Sequence, residues 1–309
     1  MKARLLLALA CAFGTILVSA TPALAVEPVV LVDTDRPELS PVASSGFLAW
    51  FVFSPRFHAS VRAQATGSDT SFRVNPKGTN AFTGGIDGST LIYEIQFPGE
   101  KDDLAMVDLA TQTELDVPVG INTNGNEYSP GISGTHILFG RGFRRARIIL
   151  FDTATSESQV VYTRSETERR FFQVLPNQVN GNYAVWQQAV FSKRSGQIID
   201  SDVFLYDITA GTTTRLPETD PERPSQYGSS VDAEGTLYYG RSSFVCGENA
   251  ELVSRELDGT ESVVYTLPTG QDFTFSFALD NASGTNDVFF DGFSCGSPDF
   301  GDIWKLSGV

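Results

Sequence analysis

The residues of this chain best suited to chemistry are few, and their settings argue against catalysis. The string Gly292, Phe293, Ser294, Cys295, Gly296 has the GxSxG form of a nucleophile elbow. An elbow needs a strand, a sharp turn and a helix, followed by an acid and a histidine. Only 13 residues follow Gly296 and none is His, so the string reads as a glycine-rich loop. The two histidines, His58 and His136, belong to no spaced set with Cys or carboxylates, which removes a zinc or multi-histidine centre. No segment has the DxDxDG spacing of a calcium loop, and Lys101 interrupts the acids around Asp102 and Asp103. No metal and no cofactor is expected.

Carboxylates leave one catalytic reading open. Glycoside chemistry needs two acids facing each other about 5 to 9.5 Å apart, and Asp102, Asp103, Asp200, Asp202 and Asp291 are loop-borne candidates. Asp103, Asp202 and Asp302, however, each open a strand of similar sequence. A carboxylate reused from repeat to repeat is expected to hold turns, because an active site breaks repeat symmetry.

A local reversal of charge is the stronger functional signal. In a chain of formal net charge −15, Arg141, Arg144, Arg145 and Arg147 crowd one loop, and Lys193 and Arg194 stand in the corresponding loop of the next repeat. Arg141, Phe143, Arg144, Arg145, Lys193 and Arg194 therefore form the candidate binding face, where forked guanidinium groups suit a carboxylate, a phosphate or an acidic protein. Phe57, Phe97, Phe191 and Phe244 lie near equivalent loops and are either contact residues or plugs between repeats.

The elements that position these loops are repeats. Apolar strands follow turns at Gly46, Gly88, Gly134, Gly181, Gly235 and Gly284, with steps of 42, 46, 47, 54 and 49 residues. Second segments such as those from Asp103, Arg147, Asp202, Ala250 and Asp302 run toward a Thr or Gly turn; the first copy, from His58, is the weakest. Such a period with several short strands per unit is the signature of propeller blades, whose sheets cannot bury both faces alone. The composition, rich in Phe, Val, Thr and Gly with two Met, agrees. The expected fold is all-β: six four-stranded antiparallel blades over residues 38–309. The last repeat ends after its third strand, and Val29 to Val32 resembles the outer strands at Val160 and Val263. That N-terminal strand, within a 26–37 segment, is expected to complete the last blade and close the ring.

Before it, Lys2 and Arg4, an apolar run from Leu5 to about Val18, and Ala23-Leu24-Ala25 have the three parts of a cleaved signal peptide, residues 1–25. The run is too short for a comfortable membrane span. Loss of Lys2 and Arg4 leaves 20 basic against 37 acidic residues, a balance that disfavours nucleic acid and anionic lipid. Cys246 and Cys295 then remain, in equivalent loops of the last two repeats. A disulfide between them fits an oxidising compartment and contributes about 4 kcal/mol on the chain-entropy model.

The pieces from Ser40 to Gly46 (SPVASSG), Ser129 to Gly134 (SPGISG) and Asp207 to Leu216 (DITAGTTTRL) resemble the turn-strand-Asp-turn repeats of the TolB-like six-bladed propeller superfamily. No copy reads SPDG literally, and the resemblance spans roughly residues 38 to 309. Residues 1–37 are too few for the α/β domain that precedes the propeller in the superfamily's namesake, so the chain is not expected to be that protein. The resemblance implies a secreted or periplasmic, noncatalytic propeller that binds a protein or cell-wall glycan partner, expected to be a monomer. A carbohydrate-active hydrolase or lyase is the alternative, since one fold hosts many functions.

Overall fold

The computed structural model describes residues 27–309 except 33, 35, 45, 57, 143, 144, 165–171, 193, 195–197, 244, 249, 281–286 and 297–300, and describes 172–177, 191 and 274–276 by their backbone alone. Residues 1–25, the expected signal peptide, lie outside the described residues.

Six four-stranded antiparallel sheets form the blades. The first strand, β1 (Val29–Val32), is followed by blade 1, which is β2 (Glu38–Ser44), β3 (Phe47–Phe53), β4 (Ala59–Ala65) and β5 (Phe72–Arg73). Blade 2 is β6 (Asn80–Asp87), β7 (Thr90–Gln96), β8 (Asp102–Asp108) and β9 (Thr113–Leu115). Blade 3 is β10 (Glu127–Ser133), β11 (His136–Arg141), β12 (Arg147–Asp152) and β13 (Glu157–Thr163). Blade 4 is β14 (Phe172–Asn180), β15 (Tyr183–Phe191), β16 (Ile198–Asp207) and β17 (Thr212–Arg215). Blade 5 is β18 (Ser225–Val231), β19 (Leu237–Ser242), β20 (Glu251–Arg255) and β21 (Glu261–Thr266). Blade 6 is β22 (Gln271–Asp280), β23 (Asp287–Ser294) and β24 (Asp302–Leu306), with β1 paired antiparallel to β24 as its outer strand.

Burial follows strand position. A second strand is covered by blades on both sides, so β3 reads FLAWFVF, apolar throughout and buried along most of its length. Outer strands face water on one side and are exposed along much of their length, whether polar, as in the TTTR of β17, or apolar, as in the VVLV of β1. The apolar core divides into six clusters, each spanning one seam between neighbouring blades. The fourth position of each repeat's second-strand motif is aromatic: Trp50, Tyr93, Phe139, Trp186, Tyr239 and Phe290, all pointing at the preceding blade.

The residue after each aromatic points at the following blade and divides the seams into two kinds. In blades 2, 4 and 6 it is Glu94, Gln187 or Asp291, and each accepts a backbone N–H from the next blade's inner strand: Ser129 at 3.1 Å, Gly228 at 2.8 Å and Ser40 at 2.8 Å. Those three acceptor-bound residues have φ of 47°, 47° and 51° and sit where the inner strands shift register. The bulge turns one N–H out of the ladder, and the neighbouring blade's side chain satisfies it. In blades 1, 3 and 5 the same position is Phe51, Gly140 or Gly240, and the seams that follow are filled with aromatic rings, including Phe51 on Phe82, Trp186 stacked on Phe204, and Tyr227 near Phe273. The ring is thus three pairs of blades, with aromatic seams inside pairs and polar latches between them.

The inner strands meet closely around the axis. A Cβ on Gly84 would lie 2.4 Å from Pro130, and one on Gly85 would lie 2.7 Å from the Gly131 Cα. β14 comes within 8 Å of both β6 and β22. The antiparallel order places the glycine turns on one end of the disc, the turn face. Loops from second to third strands and the connections between blades emerge at the other, the loop face.

Candidate binding face

Chain order alone puts the charge-reversal loops on the loop face, but packing sorts their residues into two roles. Arg141 ends β11 and is committed inward. Its Nε donates to Glu127 at 2.9 Å, its guanidinium donates to the Gly120 and Ile121 carbonyls, and the group lies 5.1 Å from the Phe139 ring centre. Glu127 is fully buried and also takes the Thr123 hydroxyl at 2.6 Å. Arg141 therefore clasps the connection into blade 3 onto its inner strand. Arg241, at the same repeat position in blade 5, likewise pairs with Glu251 and Glu261, in a chain that Arg223 and Arg255 extend.

Arg145 and Arg194 are exposed on the loop face, in the loops of blades 3 and 4. Phe143, Arg144 and Lys193 lie outside the described residues, as do Phe57 and Phe244; Phe191 ends β15. Phe97 stands in the blade 2 loop, 42% exposed. Sequence reasoning missed the remaining cations and apolar groups here. Arg56 and Lys77 are exposed in the blade 1 loop and the connection to blade 2, whereas Arg147, already named in the basic run, is exposed where β12 begins. Val119, in the connection to blade 3, is 94% exposed, and Ile199, near the start of β16, is 50% exposed. Arg56 follows Ser54-Pro55 between two apolar strands; the strand count, once made, would have placed it on this face.

Four of the five carboxylates named as catalytic candidates are engaged within their own surroundings, and Asp200 lies in β16 opposite Val190. Gln96 donates to Asp102 at 2.7 Å, and burial, then Asp103, raises the Asp102 pKa. Lys101 pairs with Asp103, and Arg215 pairs with Asp202 at 2.6 Å. Burial raises Asp202, with the bond from Arg215 opposing it. Asp291 is fully buried at the seam between blades 6 and 1, taking the Ser40 N–H. Glu94, which the sequence reading did not single out, is pushed up to about 7 by burial, with the Ser129 N–H opposing the rise and Asp102 adding to it.

On the turn face, carboxylates serve turns. Asp108 accepts from the Ala110 and Thr111 N–H groups, and Asp152 accepts from that of Ala154. These backbone bonds hold both below the usual carboxylate range, with Thr111 and Ala154 the largest causes. His136 begins β11 opposite Ser133 and Asp152, and His58 is exposed with Nδ1 3.2 Å from Asn80. Gly292, Phe293 and Ser294 end β23, and Cys295 is joined to Cys246. The disulfide ties the loops of blades 5 and 6, and among the described residues no group of three or more His, Cys, Asp or Glu is arranged to hold a metal.

Six antiparallel four-stranded blades around a closely packed axis define a six-bladed β-propeller fold. No protein-family model matches the sequence, and no curated protein is detectably similar to it. Solved structures share the fold. TolB from Acinetobacter baumannii is 15% identical with a TM-score of 0.53, over 85% of this chain and 63% of that one. A putative TolB from Agrobacterium tumefaciens is 13% identical with a TM-score of 0.53, over 88% of this chain and 91% of that one. The β-propeller domain of the Trilobed protease from Pyrococcus furiosus is 9% identical with a TM-score of 0.55, over 91% and 95%. The match thus spans under two thirds of the Acinetobacter protein, and at these identities the likeness is one of fold.

Proposed function

We propose that this protein is a secreted, noncatalytic propeller that binds a protein or cell-envelope component through its loop face. The observation that carries the reading is the loop face itself: exposed cations and exposed apolar side chains lie together there in a strongly acidic chain. Exposed apolar groups interspersed with arginine suit recognition, whereas Asp103, Asp202 and Asp291 are held by partners within the fold. The disulfide and the N-terminal leader pattern support export.

The test is thermal unfolding of the purified protein with cell-wall fragments, uronic acid oligomers, neutral glycans and envelope protein extract. A ligand specific to the folded state at 100 times its Kd adds about 2.7 kcal/mol. One class of ligand is expected to raise Tm, and Arg145→Ala with Arg194→Ala to reduce that rise. Binding that ignores this pair and is lost on changes confined to the turn face would refute the assignment.

A further inference from the structure

The loop face is not uniformly basic, and its asymmetry narrows the partner. Arg56, Lys77, Arg147 and Arg194 are exposed and form no ion pair among the described residues. They occur in an arc over blades 1, 3 and 4. Phe97, Val119 and Ile199 fall along the same arc, on blade 2, on the connection to blade 3 and on blade 4. The exposed acids Glu218, Glu222 and Glu248 gather instead on the connection into blade 5 and on its loop; among the described residues Glu100 and Asp116 are exposed acids inside the arc, against its four exposed cations.

We infer that the arc over blades 1 to 4 docks an acidic amphipathic protein segment, its carboxylates meeting Arg56, Lys77, Arg147 and Arg194 and its apolar side chains covering Phe97, Val119 and Ile199. This rests on the proposed binding role of the loop face and specifies its partner. Charge complementarity sets the sign, because the rest of the surface is acidic and repels the same partner from other approaches. The apolar members set the class. A sugar is gripped by flat aromatic rings and hydroxyl-bonding groups, whereas exposed Val and Ile gain only by being covered with other apolar groups. The acids around blade 5 disfavour extension of an acidic partner across the whole face.

The test uses fluorescence anisotropy with four probes at 50 mM salt: a 20-residue peptide of Glu interspersed with Leu and Phe, the same peptide with Lys for Glu, a Glu/Ser peptide, and galacturonate oligomers. Two variants are compared with the unaltered protein. One combines Arg56→Ser, Lys77→Ser, Arg147→Ser and Arg194→Ser; the other combines Phe97→Ser, Val119→Ser and Ile199→Ser. All seven side chains are exposed, so both variants are expected to keep their unfolding transition. The acidic amphipathic peptide is expected to bind, to weaken at least tenfold in each variant and with 300 mM salt, and to outcompete both other peptides. Absence of binding by that peptide, or equal binding by both variants, overturns the inference. Galacturonate binding lost in the cation variant alone overturns the protein partner but leaves the loop face as the binding site. If envelope ligands raise Tm equally in both variants, the loop-face reading itself fails.

Discussion

Replacing Glu94 with Gln should remove a pH dependence built into the seam between blades 2 and 3. The Glu94 carboxyl is raised from 4.5 to about 7 by burial. Between those values the folded chain holds a proton that the unfolded chain has released, so stability falls as pH rises and levels off above about 7. At about 1.4 kcal/mol per tenfold change in proton affinity, ionisation of the group costs the fold about 3 kcal/mol above pH 7 relative to the protonated form. Gln keeps the oxygen that accepts the Ser129 N–H, and Gln187 already makes the equivalent bond to Gly228. Glu94→Gln is therefore expected to match the parent near pH 4.5 and to exceed it near pH 8 by about 3 kcal/mol, on the order of 5 °C in Tm for a chain of this size. Glu94→Ala should lose stability at both pH values relative to Gln, because the Ser129 N–H is then left unpaired at a cost of roughly 1 to 3 kcal/mol. Urea unfolding from pH 4.5 to 8.5 checks this. A parent-minus-Gln difference that stays flat across that range would refute the reasoning, since the other titrating groups are common to both proteins.

Gly140 lies against its own blade's inner strand, where a Cβ would meet the Tyr128 ring at 2.3 Å; Gly140→Ala should cost roughly 1 to 3 kcal/mol. Tyr128→Leu should recover much of that loss, as Leu39 opposite Phe51 does in blade 1, and a double-mutant cycle by chemical denaturation reads the coupling. Arg141→Ala leaves Glu127 buried without its guanidinium and is expected to destabilise by roughly 3 to 5 kcal/mol, seen as a lower urea midpoint with little change in a ligand affinity that depends on Arg145 and Arg194. Opening the Cys246–Cys295 bridge, which spans 49 residues of sequence, with Ser at both positions should cost about 4 kcal/mol; reducing agent should lower the parent's Tm and leave the Ser variant unchanged.

Much of the architecture was legible in sequence because it repeats. Glycine turns, apolar second strands and Asp-led third strands recur at blade length, and the last two cysteines fall in equivalent loops, so the blades and the disulfide follow from counting. The position of the loops was also readable, since antiparallel order fixes which end of a blade each turn occupies. The division of labour among charged residues was not. Arg141 and Arg145 are four residues apart in one basic run, yet one is bound to buried Glu127 and the other is exposed; that difference depends on a connection folding back from residues 116–126. The latches were hidden for the same reason. Glu94, Gln187 and Asp291 share a repeat position, but their partners are 35, 41 and 251 residues away. Sequence by itself determined the repeating strands and their order, because hydrogen-bonded pairing within a blade is local. Only the closed ring decided which polar groups are paired, buried or left for a partner, because those contacts join blades that the chain visits far apart.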